Sequence, residues 1–149
     1  MNDFRRTSGT AWGQGAVSTA RWGGVRLTDL LKLAGVEDPH RLADFFSDQE
    51  THVRSESLDG MRASIHTRKA ADPCGDVVVA YEMNGAPLPR DHGFPLRLVV
   101  PGYAAMRSVK WLSRLELLTE EAEGAWQRGL NYKTLPPSVN LIMASNGWR

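Results

Sequence analysis

Arg90, Asp91, His92 and Arg97 stand close together in a stretch otherwise built from glycine, proline and aliphatic residues. Two guanidinium groups, a carboxylate and an imidazole combine fixed positive charge with a group that titrates near neutrality, which suits anion binding. The ordinary alternative is a set of exposed Arg–Asp pairs, which contribute little to stability. Lys110 follows after Arg107, Ser108 and Val109. Cys74 is the only cysteine, so no intrachain disulfide can form. It is flanked by Pro73 and Gly75, with no basic neighbour in sequence to lower its thiol pKa, and reads as incidental.

The elements around the cluster fix its place. Asn84-Gly85 follows the apolar run Val77–Ala80 and predicts a hairpin, because both central positions of such a turn need positive φ. Pro87 and Pro89 stiffen the return arm, and Gly93 and Pro95 bend the chain into a predicted strand over Leu96–Val100. The cluster therefore sits on a rigid loop at a strand entrance, with His92 and Arg97 expected on one side of the sheet.

Upstream, Met1–Trp22 is rich in Gly, Ser, Thr and Arg and reads as irregular, with Trp12 and Trp22 covering the edge of the core. Leu27, Leu30, Leu31 and Ala34 recur at helical spacing, with Thr28 as expected N-cap and Gly35 as the stop. Ala43–Phe46 reads as a short strand, and the polar run Ser47–Gly60 as a surface loop. Thr67 is expected to cap a short helix over Arg68–Ala71, leaving His66 as a solvated strand-end residue. Val109, Trp111 and Leu115 alternate with Lys110, Arg114 and Glu116, the pattern of a half-buried strand. The acidic block Thr119–Gly124 reads as helix or turn. Strands alternating irregularly with short helices give an α+β class with a mixed sheet.

At 149 residues the chain has the size of one domain. Its net charge of +1 and scattered cations make no basic stripe, which argues against nucleic acid as a partner. No apolar run approaches the roughly 20 residues needed to cross a bilayer, so no membrane is expected. The segment Met1–Arg6 has no apolar core of a signal peptide, which places the chain as it stands in the cytoplasm.

The stretch Ala80–Gly102 closely resembles the hallmark of the molybdopterin-binding domain of the sulfite oxidase family, which reads much like AYEMNGxPLPRDHGFPxRxVVPG. The resemblance continues through Met106–Leu112, similar to ARSVKWL, and upstream through Gly15–Leu27, similar to GAxSTARWxGVRL. Ala63-Ser64-Ile65-His66 resembles ASIP, with His66 where proline is usual, and Trp126–Lys133 resembles HWQxxDYK with one extra residue. The resemblance implies a sulfite-oxidase-type molybdopterin-binding fold with molybdenum-molybdopterin as the cofactor. It puts the cofactor contacts on His92, Arg97, Ser108, Val109 and Lys110, with Asp48 the nearest candidate for an aspartate at a strand end. It matches Trp12 and Tyr132 to residues of the substrate pocket. The implied activity is oxo transfer to sulfite or a similar small anionic substrate, with electrons passed singly to an acceptor such as a cytochrome.

The family's cysteine ligand to molybdenum, in a Cys-Ala-Gly-Asn-Arg-Arg motif, belongs upstream of Trp12, and no residue of this chain matches it. No metal ligand is therefore assigned. The expectation is an incomplete molybdopterin-binding domain over 1–140 and an unmatched tail over 141–149. A homodimer is expected only with the family's carboxy-terminal domain present. The alternative is a non-catalytic molybdopterin-binding module or an inactive remnant.

Overall fold

Ten short strands and helices are arranged around one apolar cluster in the computed structural model, which describes residues 13–36, 51–129 and 132–133. They are β1 (Trp22–Arg26), α1 (Leu27–Leu33), β2 (His52–Ser57), β3 (Arg62–His66), α2 (Thr67–Ala71), β4 (Val78–Met83), β5 (Ala86–Pro87), β6 (Arg97–Val99), β7 (Leu112–Leu118) and α3 (Ala125–Arg128). The α+β class expected from the sequence holds. The described strand pairs are antiparallel and fall into two sheets.

In the first sheet β4 is central. β1 pairs along one of its edges, while β5 and β6 divide the other. The Asn84-Gly85 turn joins β4 to β5 with φ of 55° and 81°, the double positive φ that the dipeptide supplies at low cost. Asn84 also accepts the Arg21 N–H through its side-chain oxygen at 2.9 Å and donates its own N–H to the Arg21 carbonyl at 2.7 Å. These two bonds tie the turn to the chain entering β1. In the second sheet β2 is central, between β3 and β7.

Leu27 and Leu31 of α1, Val53 of β2, Ile65 of β3, Val79 of β4, Leu98 of β6 and Leu112 of β7 meet in one buried cluster. Both sheets and the first helix thus share a single core. α1 starts at Leu27 with Arg26 at its cap and no side-chain capping bond, so Thr28 lies inside the first turn and does not cap it. The helix ends as expected at Gly35, whose φ of 93° allows the Val36 N–H to reach the Leu31 carbonyl at 3.0 Å. α2 likewise begins at Thr67 itself, behind His66.

Two expectations are corrected. The polar run Ser47–Gly60 is not a surface loop throughout, because its second half contains β2, the middle strand of the second sheet. His52, Val53, Ser55 and Ser57 are buried there. The polar side chains tolerate burial because they are bonded: Ser55 Oγ donates to the Ala63 carbonyl at 3.1 Å, and Arg54 pairs with Glu116 across the sheet. The strand read around Val109 and Trp111 begins only at Leu112, since Trp111 takes φ 51° and breaks the alternation. The predicted strand Ala43–Phe46 and the tail 141–149 lie outside the described residues.

Candidate functional site

Three side chains hold three consecutive carbonyls. After Pro89 the chain makes a single 3-10 turn, Arg90–His92, that Gly93 ends with φ 112°. Trp111 Nε1 donates to the Arg90 carbonyl at 2.9 Å, Lys110 Nζ to the Asp91 carbonyl at 2.8 Å, and Arg97 Nη1 to the His92 carbonyl at 2.9 Å. The turn that carries the titratable cluster is thus fixed by residues from two later segments. Gly93 is required at its base, because a Cβ there would come within 3.1 Å of the Cβ atoms of both Arg97 and Lys110.

Arg97 is the hub. Its Nη2 donates to the Ser108 carbonyl at 3.3 Å, and its guanidinium lies over the Trp22 ring with the central carbon 4.6 Å from the centroid. Ser108 Oγ in turn accepts the Val100 N–H at 3.0 Å, and the buried Val109 accepts the Leu98 N–H through its carbonyl at 2.8 Å. Four of the five expected cofactor contacts, Arg97, His92, Ser108 and Lys110, therefore join one cluster around the turn, and Val109 anchors it to β6. His92 is half exposed, with Nε2 3.8 Å from the Asp91 carboxylate.

Among the described residues, the hydrogen bonds of the Arg97 and Lys110 side chains go to backbone carbonyls and not to carboxylates. Burial pushes the Arg97 guanidinium below its ordinary pKa, and its Nε is buried without a hydrogen-bond partner among the described residues. A desolvated cation with an orphaned donor fits a phosphorylated ligand, which supplies oxygen acceptors and negative charge together.

Of the remaining expected site residues, Asp48 and Trp12 lie outside the described residues. The aspartate just beyond the end of β2 is Asp59, which the loop expected over Ser47–Gly60 concealed. The Ser57 hydroxyl and Met61 N–H hold its carboxyl below the usual range, with Lys110 adding to the effect. Leu58 N–H donates to the Trp111 carbonyl at 2.9 Å, joining this turn to the cluster. Trp22 is a further site residue that the sequence did not mark; only the folding together of distant segments brings it beneath Arg97.

Tyr132 is half exposed, has φ 61°, and leans on Trp126 with ring centroids 5.8 Å apart. It lines a cleft of about 480 Å³ together with His52, His66, Tyr103, Arg107, Glu121 and Lys133. None of His92, Arg97, Ser108, Val109 or Lys110 lines that cleft. Burial pushes Arg107 below its ordinary pKa, against the opposing effect of Glu121 and Tyr103. Burial also acts to raise the Glu121 carboxyl, but hydrogen bonds from Gln127 and Lys133 outweigh it and leave that group below the usual carboxylate range.

Cys74 is exposed, and its N–H donates to Asp72 Oδ1 at 2.8 Å in the turn before β4. Among the described residues no group of three or more His, Cys, Asp or Glu side chains could hold a metal ion. Cys74→Ser is expected to change stability by no more than about 0.5 kcal/mol, as surface substitutions usually do. A urea unfolding midpoint shifted well beyond that, or altered cofactor content in the variant, would give the thiol a role this geometry does not.

Residues 1–126 match the family described as "Oxidoreductase molybdopterin binding domain". Mitochondrial sulfite oxidase of Rattus norvegicus is 48% identical over 146 residues, covering 94% of this chain and 25% of that protein. Sulfite oxidase of Arabidopsis thaliana is 41% identical over 148 residues, covering 94% of this chain and 37% of that protein. The NADH nitrate reductase of Ulva prolifera is 38% identical over 152 residues, covering 99% of this chain and 17% of that protein. Among solved structures, the sulfane dehydrogenase SoxCD from Paracoccus pantotrophus superposes with a TM-score of 0.58 at 31% identity, over 76% of this chain and 26% of that one. This chain therefore spans about a quarter of the length of the mammalian sulfite oxidases it matches.

Proposed function

Because the chain belongs to the oxidoreductase molybdopterin-binding domain family, we propose that the cluster around Arg97 holds the phosphorylated part of a molybdenum-molybdopterin cofactor, as part of a sulfite-oxidase-type oxidoreductase. The observation that carries this reading is the Arg97 guanidinium: half-buried, spread over Trp22 and, among the described residues, bonded only to carbonyls and left with an orphaned Nε. When bound, the cofactor supplies two-electron redox chemistry and oxygen transfer. The residues of this chain bind and orient. Arg97 and Lys110 set positive charge against the last and middle residues of the Arg90–His92 turn, and His92 offers a ring that donates from either nitrogen when protonated. Gly93 keeps the turn close against both cations.

The substrate on this reading is sulfite or another small anion, entering on the side of Tyr132, and the acceptor is a one-electron carrier such as a cytochrome. The relatives include sulfite oxidase, nitrate reductase and sulfane dehydrogenase, so the reading rests first on the molybdopterin binding that describes the family and only then on a particular substrate. A second reading, a cofactor-binding module without turnover, is favoured by one observation: Cys74 is held in a turn by Asp72 and, among the described residues, makes no hydrogen bond to the cluster. Molybdenum prefers a soft thiolate ligand from the protein.

The test is expression in a host that makes molybdopterin, followed by measurement of molybdenum and pterin per chain and of sulfite-dependent ferricyanide reduction. Bound cofactor with reduction supports the oxidoreductase, and bound cofactor without it supports the module. A chain that folds in that host yet carries neither molybdenum nor pterin sinks both.

A further inference from the structure

Arg107 is a buried cation with no ion-pair partner among the described residues. It ends the 3-10 turn Ala105–Arg107 and is 5% exposed. Its hydrogen bonds to described residues both leave from Nη1, to the Trp126 carbonyl at 3.0 Å and Met106 Sδ at 3.2 Å. Among the described residues no carboxylate lies within ion-pair distance of it. Glu121, the acid that shares its cleft, is occupied by Lys133 at 3.0 Å and by the Gln127 amide at 3.0 Å. Leaving a desolvated guanidinium uncompensated is costly, and the cleft beside it is where compensation can enter.

His52 and His66 line the same cleft. They are cross-strand partners on β2 and β3, with ring centroids 4.7 Å apart and planes at 37°. His52 is buried and His66 exposed at the strand end. Each added proton on this pair is opposed by the other ring and by Arg107 and Lys133, and favoured by Glu121. His66 stands where proline is usual in the family motif that Ala63–His66 resembles, and it brings a titratable donor to that position.

We propose that this cleft binds a small oxyanion, anchored by the free guanidinium edge of Arg107 and completed by a protonated His66, so that binding takes up a proton. An anion in the cleft favours the protonated imidazole of His66, so affinity is highest where that ring carries its proton and falls as rising pH removes it. Glu121, whose carboxyl is held below the usual carboxylate range, keeps its charge across this window, and Lys133, Tyr103 and Tyr132 also face the cleft. The inference rests on the proposed function only for the natural occupant, since Tyr132 lines this cleft.

Sulfate is the probe, because its charge is constant over the range. Histidine ring resonances of the cofactor-free full chain, followed by NMR, are expected to show a saturable shift of His66, with sulfate bound about tenfold more tightly near pH 6 than near pH 8. Neutral dimethyl sulfone should leave the rings unmoved. His66→Gln should keep residual binding but lose most of the pH dependence, and Arg107→Gln should weaken binding about tenfold or more at both pH values. Should Arg107→Gln fail to fold, through loss of its bond to Trp126, the His66→Gln result decides. No saturable shift in the parent chain, or an unchanged pH slope in His66→Gln, overturns the proposal. Cofactor content is measured separately: loading without sulfate binding overturns this inference alone, and pH-dependent sulfate binding without loading overturns only the proposed function.

Discussion

Gly24→Ala is expected to cost about 4 kcal/mol or more, enough to unfold a marginal domain. A Cβ at Gly24 would stand 2.2 Å from the Val79 carbonyl oxygen, 2.7 Å from the Ala80 Cα and 2.8 Å from Val78 Cγ1. Two of these atoms are backbone of the central strand β4, which is hydrogen-bonded on both edges and cannot withdraw alone. The register between β1 and β4 slips between Gly23 and Gly24, and the close approach belongs to that irregularity. Gly23→Ala is the control. There the three nearest atoms all belong to the Glu82 side chain: Oε2 at 2.6 Å can turn away, and Cβ at 3.0 Å leaves a tight contact that is milder than the clash with β4 backbone at Gly24. Urea unfolding of the two variants should separate them clearly, with Gly23→Ala the milder. Equal midpoints for Gly24→Ala and the parent would mean that β1 does not sit against β4 as described. The loss would reach the cluster as well, because β1 carries Trp22, the platform under Arg97.

Arg97→Ala is expected to reduce molybdenum content about tenfold or more and to lower stability by about 3 kcal/mol, since hydrogen bonds from a charged donor contribute about 1.5–3 kcal/mol each. The substitution removes the donors to the His92 and Ser108 carbonyls and empties the face of Trp22. With its cation gone, the Arg90–His92 turn keeps Lys110 and Trp111 but loses the end that carries His92. Arg97→Lys should recover little of this. An ammonium on a flexible stem cannot serve two carbonyls and stack on an indole at once. The measurements are metal content per chain, the urea midpoint, and Trp fluorescence as a report on the vacated ring. Normal loading in Arg97→Ala would remove the guanidinium from the binding site and with it the main support for the proposed function.

Where the sequence was legible, the cause was local. The Asn84-Gly85 turn follows from the φ values that those two residues tolerate, and the Gly35 helix stop from the same freedom. The cluster of Arg90, Asp91 and His92 ahead of Arg97 was visible because prolines and Gly93 bracket it. β2 was not legible, because His-Val-Arg-Ser-Glu-Ser holds one aliphatic residue and so carries almost no hydrophobic alternation. Its buried serines bond to Ala63 and Asp59 only once the chain turns back after β2, and the Glu116 partner of Arg54 lies on β7, far outside any window around residue 55. Without β2, the strand end at Asp59 was hidden too.

By itself the sequence determined the turns, the first helix, the family and which residue types would meet an anion, because backbone preference and motif are properties of neighbouring residues. Tertiary structure alone decided which carbonyl each donor serves, that Trp22 underlies Arg97, and that Arg107, His52 and His66 share a cleft with Tyr132. Those contacts join segments far apart in the chain, and they exist only once two sheets have closed on a common core.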